Sequence, residues 1–162
     1  MRVEAPIKVD RKTKKLAKRL SAGEIAVINH IDIDEVAANS LVERKIKLVI
    51  NAAPSISGRY PNKGPKILID NNILIIDNVG ENVFEELKEG QVIEVNNGQI
   101  YRDGQLIGSG EVMDKSVVEK RTQIAYENMS VELDRFIDNT IEYAKREKGF
   151  ILGETEIPKM TT

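Results

Sequence analysis

The sequence predicts an α/β domain with a mixed, partly parallel sheet and β-hairpins, followed by one long C-terminal helix. Three observations carry this reading. Two short apolar runs, 24–29 and 47–51, flank a helical pattern, which is the βαβ arrangement that places adjacent strands in parallel. Asn97-Gly98 and Asp103-Gly104 are favoured hairpin dipeptides set between strand-like segments. From Asp114 to Lys148 the chain has neither Gly nor Pro, and its apolar residues recur at steps of three and four.

The elements follow in order. Residues 8–19 hold seven Lys or Arg against one Asp, and read as a short surface helix with Leu16 and Leu20 as its apolar contacts. EIAVIN after Gly23 has the pattern of a buried strand. Asp32 followed three residues later by Glu35 is a capping-box spacing, and Val36, Ala37, Leu41 and Val42 give the ensuing helix one apolar face. KLVIN, 47–51, is a second buried strand. Residues 51–65 carry three of the five prolines together with Gly58 and Gly64, and form a long shaped loop, a class of segment that is often functional.

KILIDNNILIID, 66–77, admits two readings. One is a hairpin turning at Asn71-Asn72; the other is a short helix, 65–71, with Pro65 at its start, followed by a strand, 73–77. The next helix is capped at Asn82 and stopped by Gly90, and three short strands fill the stretch to Val112. A helix over 114–148 would span about 50 Å. It outruns a small domain, so part of its stripe must meet a second copy, a second domain or a partner. Gly149 ends it. The expected division is a basic N-terminal segment, 1–22; a domain, 23–113; the long helix, 114–148; and a linker, 149–162.

Composition excludes several chemistries. With 162 residues, no Cys and one His, the chain offers no disulfide, thiolate zinc site, iron–sulfur cluster or Cys nucleophile, and at most one imidazole base. The net charge of −2 and an aromatic content of 4% argue against nucleic acid as a partner. The charge is uneven: residues 8–19 sum to +6 and the rest to −8. That segment is either a solvated face or a contact for an acidic partner, a membrane phosphate or nucleic acid. No apolar run spans a membrane and the N-terminus lacks a signal-peptide core, so a cytoplasmic location is expected.

Little of the chain can carry chemistry. In the loop Ser55-Ile56-Ser57-Gly58-Arg59-Tyr60-Pro61-Asn62, two hydroxyls, an Arg and Gly-permitted N–H groups could hold a phosphate or carboxylate at a strand's carboxyl end. Arg59 would anchor the charge. The alternative is a rigid loop whose polar groups satisfy its own backbone. Asp77 and Asn78, after the next strand, either line the same edge or turn into the following helix. His30, Asp32 and Asp34 form a weak metal candidate, with a helix cap plus a loop histidine as the bland reading. No catalytic set assembles at recognisable spacing, and no cofactor is expected for this chain.

Two resemblances add to this. Gly-Glu-Ile-Ala-Val, Lys-Leu-Val-Ile-Asn, Asn-Ile-Leu-Ile-Ile-Asp and Leu-x-x-Gly-Gln-Val-Ile-Glu-Val-Asn-Asn-Gly, within residues 23–108, resemble the swivelling β/β/α domain of phosphoenolpyruvate-utilising enzymes. That likeness favours the helix reading of 65–71. Those domains carry a phosphorylated His in the loop that here is Ser55–Gly64 and has none, so the phosphocarrier role does not transfer.

The second resemblance covers nearly the whole chain. VDRKTKKLAKRLSAGEIAVINHIDIDEVAANSLV, NAAPSISGRYPNKGP, IIDNVGENVFEELKEG and FIDNTIEYAKRE look like the N-terminal half of the SteA-like family of cytokinetic ring proteins, also called thiamin pyrophosphokinase-related proteins. In that family a kinase-like domain follows the long helix, and a membrane-anchoring segment comes after it. The resemblance implies an N-terminal domain of a longer bacterial protein, working at the inner face of the membrane in cell division and envelope remodelling. It also implies self-association and a membrane-protein partner, with any nucleotide and Mg held by the domain that follows. Two functions are therefore expected as alternatives. One is a non-catalytic regulatory or interaction domain that dimerises through residues 115–148. The other is a ligand-binding or catalytic-accessory domain that takes a phosphorylated small molecule or nucleotide through Ser55–Asn62.

Overall fold

The apolar runs of the first half form the centre of one sheet. The computed structural model describes residues 2–154, with side chains to residue 150. In chain order the elements are β1 (Arg2–Val9), α1 (Thr13–Arg19), β2 (Ile25–Ile28), α2 (Glu35–Val42), β3 (Leu48–Asn51), α3 (Gly64–Asp70), β4 (Leu74–Asp77), α4 (Glu81–Glu86), β5 (Val92–Asn96), β6 (Gln99–Arg102), β7 (Gln105–Ser109), β8 (Glu111–Met113) and α5 (Lys115–Glu154). The strand order is β7-β6-β5-β1-β2-β3-β4-β8. Strands β1 to β4 are mutually parallel, and both flanks are antiparallel. This is the mixed sheet with hairpins and a long C-terminal helix that the sequence predicts.

Parallel strands covered on both faces need apolar residues at every position, and β2 and β3 are buried throughout. Alternate residues serve different layers. Ala26, Ile28, Val49 and Ile75 pack with Leu16, Leu41 and Leu68 of α1, α2 and α3. Ile25, Val27, Leu48, Ile50 and Ile76 pack with Phe84 of α4 and with Ile93, Val95 and Ile100 of β5 and β6. Each fully buried Ile or Leu stabilises the fold by about 1.5–3 kcal/mol.

Several expectations need correction. The segment 1–22 is not set apart from the domain, because β1 lies in the middle of the sheet. Its residues Arg2–Pro6 pair with β5 and Ile7–Val9 with β2. Pro6, which has no N–H to give, sits where β1 passes from the antiparallel neighbour to the parallel one. Asp32 does not cap α2. Asp34 does, accepting the Ala37 N–H at 2.7 Å, while Asp32 takes a left-handed φ of 54°. α4 begins from Gly80, not Asn82, and ends at Glu86, short of Gly90. Four strands follow it rather than three, the last being the edge strand β8 on β4. α5 continues through Gly149 to Glu154, and the remainder of the expected linker lies outside the described residues. The helix reading of 65–71 matches α3, which carries Pro65 in its first turn and is followed by Asn72 at φ 62°.

Candidate functional site

The loop 52–63 leaves the carboxyl end of β3 and is organised by the residue just before it. Asn51 is fully buried. Its Oδ1 accepts the His30 N–H at 3.0 Å and the Ala53 N–H at 3.1 Å. Its Nδ2 donates to the His30 carbonyl and to Ser55 Oγ, both at 2.8 Å. A single amide therefore ties the end of β2 to the loop. Polar groups are tolerated at such depth only when paired in this way.

The predicted site residues then fall into place. Ser55 is fully buried, and its N–H donates to Asp77 Oδ1 at 2.9 Å. Ser57 N–H and Oγ donate to the two oxygens of Asp32 at 2.6 and 2.8 Å. Asn62 Nδ2 donates to the carbonyls of Ile33 and Ser55 at 2.9 and 2.8 Å. Gly58 takes φ 90°, which a side chain would strain. Arg59 and Tyr60 stay exposed, with the guanidinium 5.9 Å from the ring centroid. Asn78, exposed at φ 54°, turns the chain out of β4.

Both serines and the Asn62 amide nitrogen are thus committed to holding the loop, while Asn62 Oδ1 is buried without a hydrogen-bond partner. His30, Asp32 and Asp34 do not converge. His30 Nδ1 pairs with Thr13 Oγ1 at 2.8 Å, Asp32 holds Ser57 and Asp34 caps α2. Among the described residues no three His, Asp or Glu side chains stand close enough to hold a metal ion.

The loop's outer surface receives α5. Asn128 Nδ2 donates to the Gly58 carbonyl at 2.7 Å. Arg121 lies 4.0 Å from Asp77 Oδ2 and is paired with Glu111 of β8. Val118 and Ala125 of α5 are buried, and an open concavity of about 300 Å³ lined by Ile56, Ser57, Gly58, Arg121 and Ile124 runs along the seam. A neighbouring one of about 350 Å³ is lined by Ser57, Gly58, Arg59, Tyr60, Asn128 and Glu132. The loop is a socket for the long helix. Asn51, Arg121 and Asn128 were not among the expected site residues. Asn51 carried a signal, a polar residue ending an otherwise apolar strand.

Asp77 is 1% exposed, and burial pushes its carboxyl up from the ordinary value of 3.8, against the opposing pull of the Ser55 hydrogen bonds and Arg121. A raised carboxyl favours folding while protonated, so its contribution is present below 3.8 and is lost as pH rises through the folded-state value. Asp77→Asn keeps an acceptor for Ser55 and removes the titration. Chemical denaturation across pH is expected to show wild type losing stability relative to Asp77→Asn above the ordinary carboxylate range. Parallel pH curves for the two proteins would contradict this.

Gly64 closes the socket from below. Its N–H donates to the Ile33 carbonyl at 3.1 Å, and a Cβ there would lie 2.2 Å from that same oxygen. Because the obstacle is backbone, Gly64→Ala is expected to cost about 2–3 kcal/mol in denaturant unfolding. A loss below about 0.5 kcal/mol, the range of ordinary surface changes, would show that α3 shifts freely.

Comparison with known proteins gives little to set beside this geometry. No family model matches the chain, and no curated protein matches it. Among solved structures it is similar to 3-isopropylmalate dehydratase (LeuD) from Methanocaldococcus jannaschii, at 12% identity and a TM-score of 0.44 over 83% of this chain and 99% of that one.

Proposed function

We propose that this chain is a non-catalytic interaction domain that self-associates through the projecting part of α5. The observation that carries the reading is the exposure of that helix. Beyond Ala125, the aromatic and branched residues Leu133, Phe136, Ile137, Ile141 and Tyr143 stand 48–67% exposed. Leu133, Phe136, Ile137, Ile141 and Ala144 recur at steps of three and four, the spacing of a helix–helix seam. Residues 130–154 extend about 37 Å at 1.5 Å per residue. An apolar stripe of this length on a bare helix is the mark of an interaction surface.

The occupant we assign is a second copy, on grounds of charge. Between 127 and 142 the helix carries Glu127, Glu132, Asp134, Asp138 and Glu142 against Arg135 alone. Between 145 and 148 it carries Lys145, Arg146 and Lys148 against Glu147. Antiparallel pairing brings the basic end of one copy towards the acidic stretch of the other, whereas parallel pairing sets like against like. The Ser55–Asn62 loop supports this reading as the socket that fixes where α5 departs. Its hydroxyls are already engaged, which leaves Arg59 as its one uncommitted charged donor.

The motifs shared with the SteA-like family extend the proposal. In that setting the domain would be a regulatory module of a longer protein in bacterial cell division and envelope remodelling, with a membrane-protein partner. Among the described residues no helix is long and apolar enough to cross a membrane. Light scattering on the full chain tests the proposal. It should give twice the 18.2 kDa chain mass; a monomer at every concentration would overturn it.

A further inference from the structure

The basic N-terminal stretch has no part in the helix socket, and its position in the fold suggests another use. A concavity of about 670 Å³ opens at the carboxyl ends of β1 and β2. Parallel strands deliver ligand-binding groups at that end. Three of the lining residues, Arg11, Lys12 and Lys14, are cationic, and one, Asp34, is acidic and already committed as the α2 cap. Arg11 is partly engaged, paired with Glu81 and lying over the Phe84 ring. Among the described residues, Lys12 and Lys14 have no ion pair.

Thr13, 4% exposed, and His30 form a fixed polar pair on the wall, with His30 Nε2 uncommitted. The opposite character is present in the same space. Ile31 and Val36 line the concavity while 59% and 75% exposed. Exposed branched side chains beside unpaired ammonium groups complement an anion attached to an apolar body.

We infer that this concavity binds a phosphate-bearing ligand with an apolar moiety, the phosphate held by Lys12, Lys14 and Arg11 and the apolar part lying on Ile31 and Val36. This goes beyond the self-association reading and stands or falls apart from it, since no residue of the concavity belongs to α5. The phosphate could belong to a soluble nucleotide-like molecule or to a lipid headgroup, and the two sources share this chemistry.

The test is an NMR titration of the full chain with adenosine diphosphate, inorganic phosphate and vesicles of phosphatidylglycerol in phosphatidylcholine. The expected result is saturable perturbation of the amides of Lys12, Thr13, His30 and Ile31. Lys12→Ala with Lys14→Ala should weaken binding by about tenfold or more, as expected for losing charge-assisted contacts. Lys15→Ala with Lys18→Ala, which removes the same charge outside the concavity, should change it less than about twofold, as expected for exposed charges. Saturation by adenosine diphosphate over inorganic phosphate points to the soluble source. Saturation by the anionic vesicles alone, with the same dependence on Lys12 and Lys14, points to the headgroup; both uphold the site. Equal losses in the two double variants would reveal a diffuse basic face and overturn it, as would perturbation by none of the probes.

Discussion

Asn51→Ala should destabilise the fold by about 4 kcal/mol, near the top of the range for single substitutions. The amide makes four hydrogen bonds from a fully buried position. Removing it leaves the His30 and Ala53 N–H groups and the His30 carbonyl without their partner, and each buried orphan costs about 1–3 kcal/mol. Asn51→Asp should not rescue the loss. It keeps acceptors for the two N–H groups but gives up the donors to His30 and Ser55, and it adds a buried charge. Urea unfolding with an unchanged slope reads the effect directly. A loss under 1 kcal/mol would mean that water replaces the amide and that Asn51 does not organise the loop.

The second large effect concerns association. Leu133→Asp with Ile137→Asp is expected to weaken the dimer by at least about 100-fold, near 3 kcal/mol, because each carboxylate would be desolvated in an apolar seam. Both positions are half exposed in the single chain and belong to neither of its buried apolar clusters. The thermal unfolding of the sheet should therefore be little changed when both proteins are compared as monomers. A variant that still dimerises would move the interface away from this stripe. One that fails to fold would show that residues beyond Ala125 carry domain stability, contrary to the burial pattern.

How much of this was legible depends on how local each cause is. β2 and β3 could be read because strands buried on both faces must be continuously apolar. α3 was legible only with help from resemblance, since an isoleucine-rich stretch split by two asparagines suits a hairpin equally well. β1 was hidden by its own composition. It has two charged residues before Pro6, and only Ala5 and Ile7 are buried. What makes it a strand is pairing to residues about twenty and ninety positions away, which no local pattern displays.

The same logic divides the site. Ser55 and Asp77 could be placed on one sheet edge from strand order. That Ser57 would hold Asp32, that Asn128 would reach the Gly58 carbonyl and that Arg121 would face Asp77 depends on contacts 25, 70 and 44 residues apart in sequence. Asp32 was misread for a related reason. Two acids two residues apart both suit a helix cap, and the choice falls to Asp34 because Asp32 is drawn to Ser57. The functional meaning of the loop shifts accordingly, from a ligand cradle towards the seat of a helix.

Hydrogen exchange measured at low and high protein concentration tests the central claim most directly, because it reads residues 130–148 separately from the rest of the chain. If two copies pair through α5, amides in that stretch gain protection as concentration rises, while those of β2 and β3 do not change. Exchange over 130–148 that stays fast and independent of concentration would contradict self-association through this helix.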